Sequence, residues 1–267
     1  MRIAFIGGGN MGEAMIRCLI EKDVARTTGI IAADVAEARR SYLKKQYGIA
    51  TTSINRKAAE KADVIVLAVK PNVMPEALAD LRGQTTADQT VLSIAAGVTL
   101  AKLRQGLDRE ALVRAMPNTP AQIGEGVTVW TATAEATEAD RERARDILGA
   151  MGKQTFVADE KYIDMATAVS GSGPGYVFLI IESLVDAAVR IGLPRDMALE
   201  LVLETMSGSV HLAQKSGKHP AELRNMVTSP GGTTAEGLHE LEEGRLRALL
   251  ARAIIAGYEK ARALRGE

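Results

Sequence analysis

The sequence holds a single cysteine, Cys18, in 267 residues. One thiol excludes an intramolecular disulfide framework and a thiolate metal cluster, and it fits a reducing cytoplasm, where the chain is expected to act. Cys18 lies among apolar neighbours and reads as a small buried residue rather than a nucleophile. Aromatic residues make up only 3%, so the core must be aliphatic. The charge has no net sign, with 33 Lys and Arg against 33 Asp and Glu. No basic excess points to nucleic acid, and no charged block to a tail. No apolar run reaches membrane-spanning length, so no membrane partner is expected. The apolar run at the N-terminus is too short, and too broken by glycine, for a signal peptide. His211, His219 and His239, the only histidines, read as solvated side chains. No His-x-x-x-His or carboxylate cluster suggests a metal, and no Gly-x-Ser-x-Gly elbow appears.

What is present begins at once. Ile3-Ala4-Phe5-Ile6 is a short apolar run, followed by Gly7-Gly8-Gly9-Asn10-Met11-Gly12 and then by apolar residues at helical spacing, Ala14, Met15, Leu19 and Ile20. A buried strand, a glycine turn and a helix form the first half of a dinucleotide-binding unit. Gly7 allows the turn, Gly9 lets the backbone approach a pyrophosphate, and Gly12 lets the helix pack close to the strand. The helix start, Asn10 and Met11, then offers N–H groups and a positive dipole end to phosphates.

Gly29 to Ala33 reads as a second strand ending at Asp34, the place where an acidic residue holds the adenosine ribose in NAD-preferring sites. Arg39 and Arg40 follow closely and could meet a 2′-phosphate, or lie on a solvated helix face. NADH and NADPH therefore both stay open. Ala36 to Tyr47 is a helix closed by Gly48. Val64 to Val69 is the continuous apolar, β-branched run of a parallel strand covered on both faces, and Ala68 to Pro71 at its end are placed to line the cofactor. Val91–Ile94, Leu112–Ala115, Val127–Trp130 and Gln154–Val157 complete the sheet. Glu138 to Met151 is a helix, with Gly152 as its C-terminal glycine. Alternating strands and helices predict a doubly wound α/β domain over residues 1–158.

From about Asp159 the pattern is helical, giving a second, all-α domain over 159–267. Lys161 to Val169 is a helix broken by Ser170-Gly171-Ser172-Gly173-Pro174-Gly175. Tyr176 to Ile191, closed by Gly192, is apolar on every side in its early part, so a second subunit is expected to cover it. Arg195 to Lys215, Ala235 to Glu243 and Arg245 to Leu264 are further helices. Between them lies Ser229-Pro230-Gly231-Gly232, a turn. Thr233 or Thr234 is predicted to cap the following helix, with Glu236 in a capping box. Such a helix start is also a ready seat for a substrate carboxylate. With no conventional acid–base pair in sight, hydride transfer from a nicotinamide fits, because the cofactor supplies the reaction and the fold supplies orientation.

These blocks resemble the pyrroline-5-carboxylate reductase family, which catalyses the last step of proline biosynthesis. The resemblance is carried by Ile6 to Gly12, Ala68-Val69-Lys70-Pro71, Arg114 to Pro120, Ser170 to Pro174 and Ser229 to Thr234. It implies reduction of 1-pyrroline-5-carboxylate to L-proline by NAD(P)H, with NADPH the usual cofactor and NADH left open by Asp34. It implies that Gly7, Gly9, Asn10, Met11, Gly12, Asp34, Asn55, Ala68, Val69, Lys70 and Pro71 bind the cofactor. The substrate carboxylate falls to Ser229, Gly231, Gly232 and Thr233, and the hydroxyl of Thr234, the catalytic residue, lies near the ring nitrogen. The C-terminal helices would intertwine in a homodimer, which in this family often assembles into a decamer. A β-hydroxyacid dehydrogenase has a similar plan but carries a catalytic lysine on its long helix, and Tyr176 to Ile191 has none. A non-catalytic nucleotide sensor would be expected to lose the loop at Ser229 to Thr234, which is intact.

Overall fold

The computed structural model describes residues 1–265. Two compact units form. One comprises Met1–Pro174 together with the chain from Gly257, and the other is Gly175–Ala256.

The first unit is built on strands β1 (Ile3–Ile6), β2 (Ile30–Ala33), β3 (Ala50–Thr52), β4 (Val64–Leu67), β5 (Thr90–Ser93), β6 (Val113–Met116), β7 (Gly126–Ala132) and β8 (Gly152–Phe156). Among the described residues they make one sheet in the order β3-β2-β1-β4-β5-β6-β7-β8. Pairing is parallel except between β6 and β7. The link from Met116 to Gly126, with its 3-10 turn at Thr119–Ile123, is too short for a parallel crossover, so β7 runs back along β6. Helices α1 (Asn10–Glu21), α2 (Glu37–Tyr47), α3 (Asn55–Ala59), α4 (Met74–Leu81), α5 (Leu100–Leu107) and α6 (Glu138–Gly149) fill the crossovers.

Strand alternation splits the core in two. Ile3, Phe5, Val64 and Val66 join one buried cluster, while Ala4, Ile6, Ile65 and Leu67 join the other. A strand buried on both faces reads as an unbroken apolar run, as β1 and β4 do. The order reverses between β1 and β4, so a crevice lies beyond their carboxyl ends. Cys18 is buried, its thiol donates to the Ala121 carbonyl at 3.1 Å, and burial pushes its pKa up.

Helix α7 (Lys161–Ala166) packs on β6 and β7, past the expected boundary at 158. The reason is Arg114. Its neighbours Val113 and Ala115 face one core cluster, so Arg114 faces the other way, where its side chain is 1% exposed. It reaches Glu160 at 2.6 Å and Asp164 at 3.2 Å, and Asp164 in turn takes Arg265 at 2.5 Å. Charges this deep persist only when paired.

Three local expectations change. Helix α6 ends at Gly149, and Gly152 opens β8 instead of closing the helix: a Cβ there would collide with Gly126 of β7. The segment at Ser170 does not break the chain into a loop. It is a π-helical turn, Thr167–Gly171, from which α8 (Gly173–Arg190) continues. The helical run Lys161–Arg190 is therefore long and apolar enough to cross a membrane by length and composition alone, contrary to the expectation that no apolar run reaches that length. Within the second unit, α9 (Arg195–Ser216), α10 (Pro220–Met226), α11 (Thr233–Glu243) and the start of α12 (Leu246–Arg265) follow. Phe178 and Leu179 on α8 are each more than 60% exposed in the single chain.

Replacing Arg114 should strip Glu160 of its ion pair and leave the buried Asp164 with Arg265 alone. Arg114→Ala is expected to lower unfolding stability by about 3–5 kcal/mol, measured by urea unfolding at fixed protein concentration. A loss below about 1 kcal/mol, the range of an exposed ion pair, would show that the cluster does not hold α7 to the sheet.

Candidate active site

The glycine loop is shaped by close approach. Gly7 has φ +100°, and a Cβ there would lie 2.9 Å from the Ala68 carbonyl and from Val69 Cγ1. A Cβ on Gly12 would lie 2.7 Å from the Gly7 oxygen. Both positions thus require glycine for packing. Gly9 differs: nothing stands within 4 Å of where its Cβ would be. It is the N-cap of α1 and has no side-chain cap bond. The first N–H groups of a helix have no intrahelical partner, so the amides of Asn10, Met11 and Gly12 face a bare, positive helix end beside open space. A pyrophosphate fits that cradle in charge and in room. The Met11 side chain packs against the core, which leaves its amide for a ligand.

The other predicted cofactor residues gather at the same strand ends. Ala68 and Val69 sit across from Gly7, with the Ala68 N–H bonded to Ile6 at 2.8 Å. Lys70 and Pro71 are exposed in the turn that leads to α4. Asn55 opens α3 and donates to Asp80 at 3.1 Å. Asp34 lies at the end of β2, but both its oxygens are engaged: Oδ2 accepts from Gly8 N–H and Oδ1 from Ala36 N–H, each at 2.9 Å. The sequence reading missed a polar cavity of about 270 Å³ beside the helix start, lined by Asn10, Glu13, Ala14, Arg17 and Gln122. The spacing of residues 10, 13, 14 and 17 on one helix face was the available signal.

In the second unit, Ser229-Pro230-Gly231-Gly232 is a type II turn. The Gly232 N–H returns to the Ser229 carbonyl at 3.0 Å, and Gly231 has φ +68°, which that turn requires after proline. Helix α11 then starts at Thr233, two residues earlier than expected, with Gly232 as N-cap and no side-chain cap. Thr233 and Thr234 are inside the first turn rather than capping it, and Glu236 lies one position too late for a capping box. Their hydroxyls are consequently not spent on a cap. Because Gly232 gives its N–H to the turn, the unpartnered amides at the helix start are those of Thr233 and Thr234. His219 is exposed, as read, and it also caps α10, its Nδ1 accepting from the Ala221 N–H at 3.2 Å ahead of Pro220 at N1. Among the described residues no group of three or more His, Cys, Asp or Glu could hold a metal.

Residues 160–264 match the profile of pyrroline-5-carboxylate reductase dimerisation, and residues 2–97 that of NADP oxidoreductase, coenzyme F420-dependent. Pyrroline-5-carboxylate reductase of Arabidopsis thaliana is 38% identical over 98% of this chain and 95% of its own length. The chain belongs to the pyrroline-5-carboxylate reductase family. The Escherichia coli reductase is likewise 38% identical, over 98% of both chains. The crystal structure of the Plasmodium falciparum enzyme with NADP bound superimposes with a TM-score of 0.92 at 32% identity, covering 99% of this chain and 98% of that one. The Coxiella burnetii reductase gives 0.89 at 35% identity, covering 98% of each.

The open space at Gly9 makes a clean test. Its φ of −66° suits any residue, so Gly9→Val should fold with little change in melting temperature. Affinity for NADPH should fall by about two orders of magnitude, the worth of one or two charged hydrogen bonds. Undiminished binding, followed by quenching of the reduced nicotinamide fluorescence, would place the pyrophosphate elsewhere.

Proposed function

We infer that this chain reduces 1-pyrroline-5-carboxylate to L-proline by hydride transfer from NADPH, the last step of proline biosynthesis. The observation that carries the reading is the turn at Ser229–Gly232, which delivers two unpartnered amides and uncommitted threonine hydroxyls at the start of α11. Membership of the family over nearly the whole chain supports it.

The substrate joins a carboxylate to a cyclic imine. In this reading the Ser229 hydroxyl and the amides at the start of α11 seat the carboxylate, where the helix dipole favours negative charge. Gly231 and Gly232 shape that seat, and Gly232 serves through its turn bond, with its own amide committed to Ser229. Thr233 contributes its N–H. Thr234 presents its hydroxyl to the ring nitrogen and fixes the ring so that the imine carbon meets the reductant at about 3–3.5 Å, the near-attack distance. NADPH, when bound, supplies the hydride. A protonated imine nitrogen makes its carbon electrophilic, and the product amine keeps that proton, so no strong protein acid is required.

On the cofactor side the amides of Gly9, Asn10, Met11 and Gly12 hold the pyrophosphate. Gly7 shapes the turn, Ala68 to Pro71 line the nicotinamide half, and Asp34 and Asn55 flank the adenosine ribose. Residues 1–158 are the dinucleotide-binding domain in this reading, and 159–267 the dimerisation and substrate domain. The exposed apolar residues of α8 and α9, such as Phe178, Leu179 and Leu199, are covered by a second copy. That occupant also accounts for the apolar run Lys161–Arg190 without a bilayer. The dimers assemble further into a decamer, and the enzyme works in the cytoplasm.

Thr234→Ala is expected to lower kcat by about ten- to a hundredfold, the range for losing one orienting hydrogen bond at a proton-carrying atom. NADPH affinity should stay unchanged. Steady-state oxidation of NADPH with pyrroline-5-carboxylate gives the first quantity and fluorescence titration the second. Unchanged turnover would remove Thr234 from the mechanism.

A further inference from the structure

Arg39 and Arg40 stand side by side on α2, yet they have different partners. Arg39 donates through Nε to the Gly8 carbonyl and through Nη2 to Glu13 on the first turn of α1. Glu13 also accepts from the hydroxyls of Tyr42 at 2.9 Å and Tyr47 at 2.8 Å, so three donors of α2 converge on one carboxylate. Burial alone would raise the Glu13 pKa, but the bonds from Arg39, Tyr47 and Tyr42 outweigh it and hold the carboxyl below its usual value, ionised for Arg39. Arg40 instead donates to two neutral carbonyls, Asp34 at 2.8 Å and Val35 at 2.9 Å. Among the described residues no carboxylate pairs with it.

The bonds at Gly8 fix two successive peptide planes. Asp34 holds the Gly8 N–H, which belongs to the peptide joining Gly7 and Gly8. Arg39 holds the Gly8 carbonyl, which belongs to the peptide joining Gly8 and Gly9. In a trans peptide the C=O and the following N–H point in opposite directions. With the Gly8 carbonyl drawn to Arg39, the Gly9 N–H is turned away from it. The cation of Arg40 lies at the carboxyl end of β2 with its charge unspent.

We propose that the two arginines divide the work on the cofactor: Arg39, anchored by Glu13, is a positioning residue that holds the Gly8–Gly9 peptide for the pyrophosphate of any nicotinamide dinucleotide, and Arg40 meets the 2′-phosphate that marks NADPH. The inference rests on the cofactor site proposed above. It places specificity for NADPH on Arg40 despite Asp34, whose oxygens each already accept a backbone N–H.

The test is a set of dissociation constants for the whole enzyme, with NADPH and NADH read by nicotinamide fluorescence, and 2′,5′-ADP and 5′-AMP by calorimetry. Arg39→Gln should weaken NADPH and NADH by the same factor, about tenfold or more for a lost charged hydrogen bond. Arg39→Lys should not restore binding, because an ammonium keeps the charge but lacks the fork that spans Gly8 and Glu13 together. Arg40→Gln should weaken NADPH and 2′,5′-ADP by about tenfold or more, and leave NADH and 5′-AMP unchanged. Loss of NADPH alone in Arg39→Gln, full rescue by lysine, or equal losses of both dinucleotides in Arg40→Gln would each overturn the division. A merely structural role for Arg39 would lower the melting temperature and leave the constants of the folded protein unmoved, which also overturns it. Failure of Gly9→Val to impair binding would instead overturn the site reading itself.

Discussion

Backbone meets backbone where β1 ends, and most of what this protein can do depends on that meeting. Gly7 lies against the Ala68 carbonyl and Gly12 against the Gly7 oxygen at separations that leave no room for a Cβ. The approach lets α1 start directly over the strand ends, and an uncapped helix start over a parallel sheet is a seat for phosphate. The same constraint brings Glu13 on α1 within reach of Arg39, Tyr42 and Tyr47 on α2. Packing without side chains thus fixes the position of the charges, and the charges in turn fix the peptides of the loop.

The second organising contact is electrostatic and lies at the other side of the sheet. Arg114 sits almost fully buried on β6 and joins Glu160, Asp164 and, through Asp164, Arg265. The cluster binds α7 and the end of α12 to the sheet. Buried ion pairs of this kind add little net stability over apolar packing, but they forbid alternatives in which any one charge is left alone. Arg114 also stands just before Met116 to Pro120, where Asn118 bridges Ser170 and Val127. Arg114 thus ties β6 to α7, and Asn118 ties the turn after β6 to the π-helical turn that follows α7.

Much of this was legible in the residues, for physical reasons. An unbroken apolar run such as Val64 to Leu67 belongs to a strand covered on both faces, and a glycine cluster directly after one marks the helix crossing. Ser229-Pro230-Gly231-Gly232 specifies its own turn, because proline sets one φ and glycine supplies the positive one. What was hidden needed the third dimension. Strand β3 is short and partly exposed, with little hydrophobic signal. Gly152 looked like a helix end because a terminal glycine is common there, whereas its real constraint is the close approach of Gly126. The π-turn at Thr167–Gly171 looked like a break because glycine and serine cluster in it. Within the candidate site, the residues of the glycine loop and of the turn before α11 could be named from local pattern alone. The link from Arg39 to Glu13 spans 26 positions, and no local pattern reveals it.

Hydride should pass directly from NADPH to the imine carbon of the cyclic amino-acid precursor. The decisive measurement runs the enzyme with NADPH deuterated at the transferable C4 position and analyses the product by mass spectrometry and NMR. The expected result is L-proline carrying a single deuterium at C5, the former imine carbon. Unlabelled proline, or NADPH oxidation without proline, would contradict it.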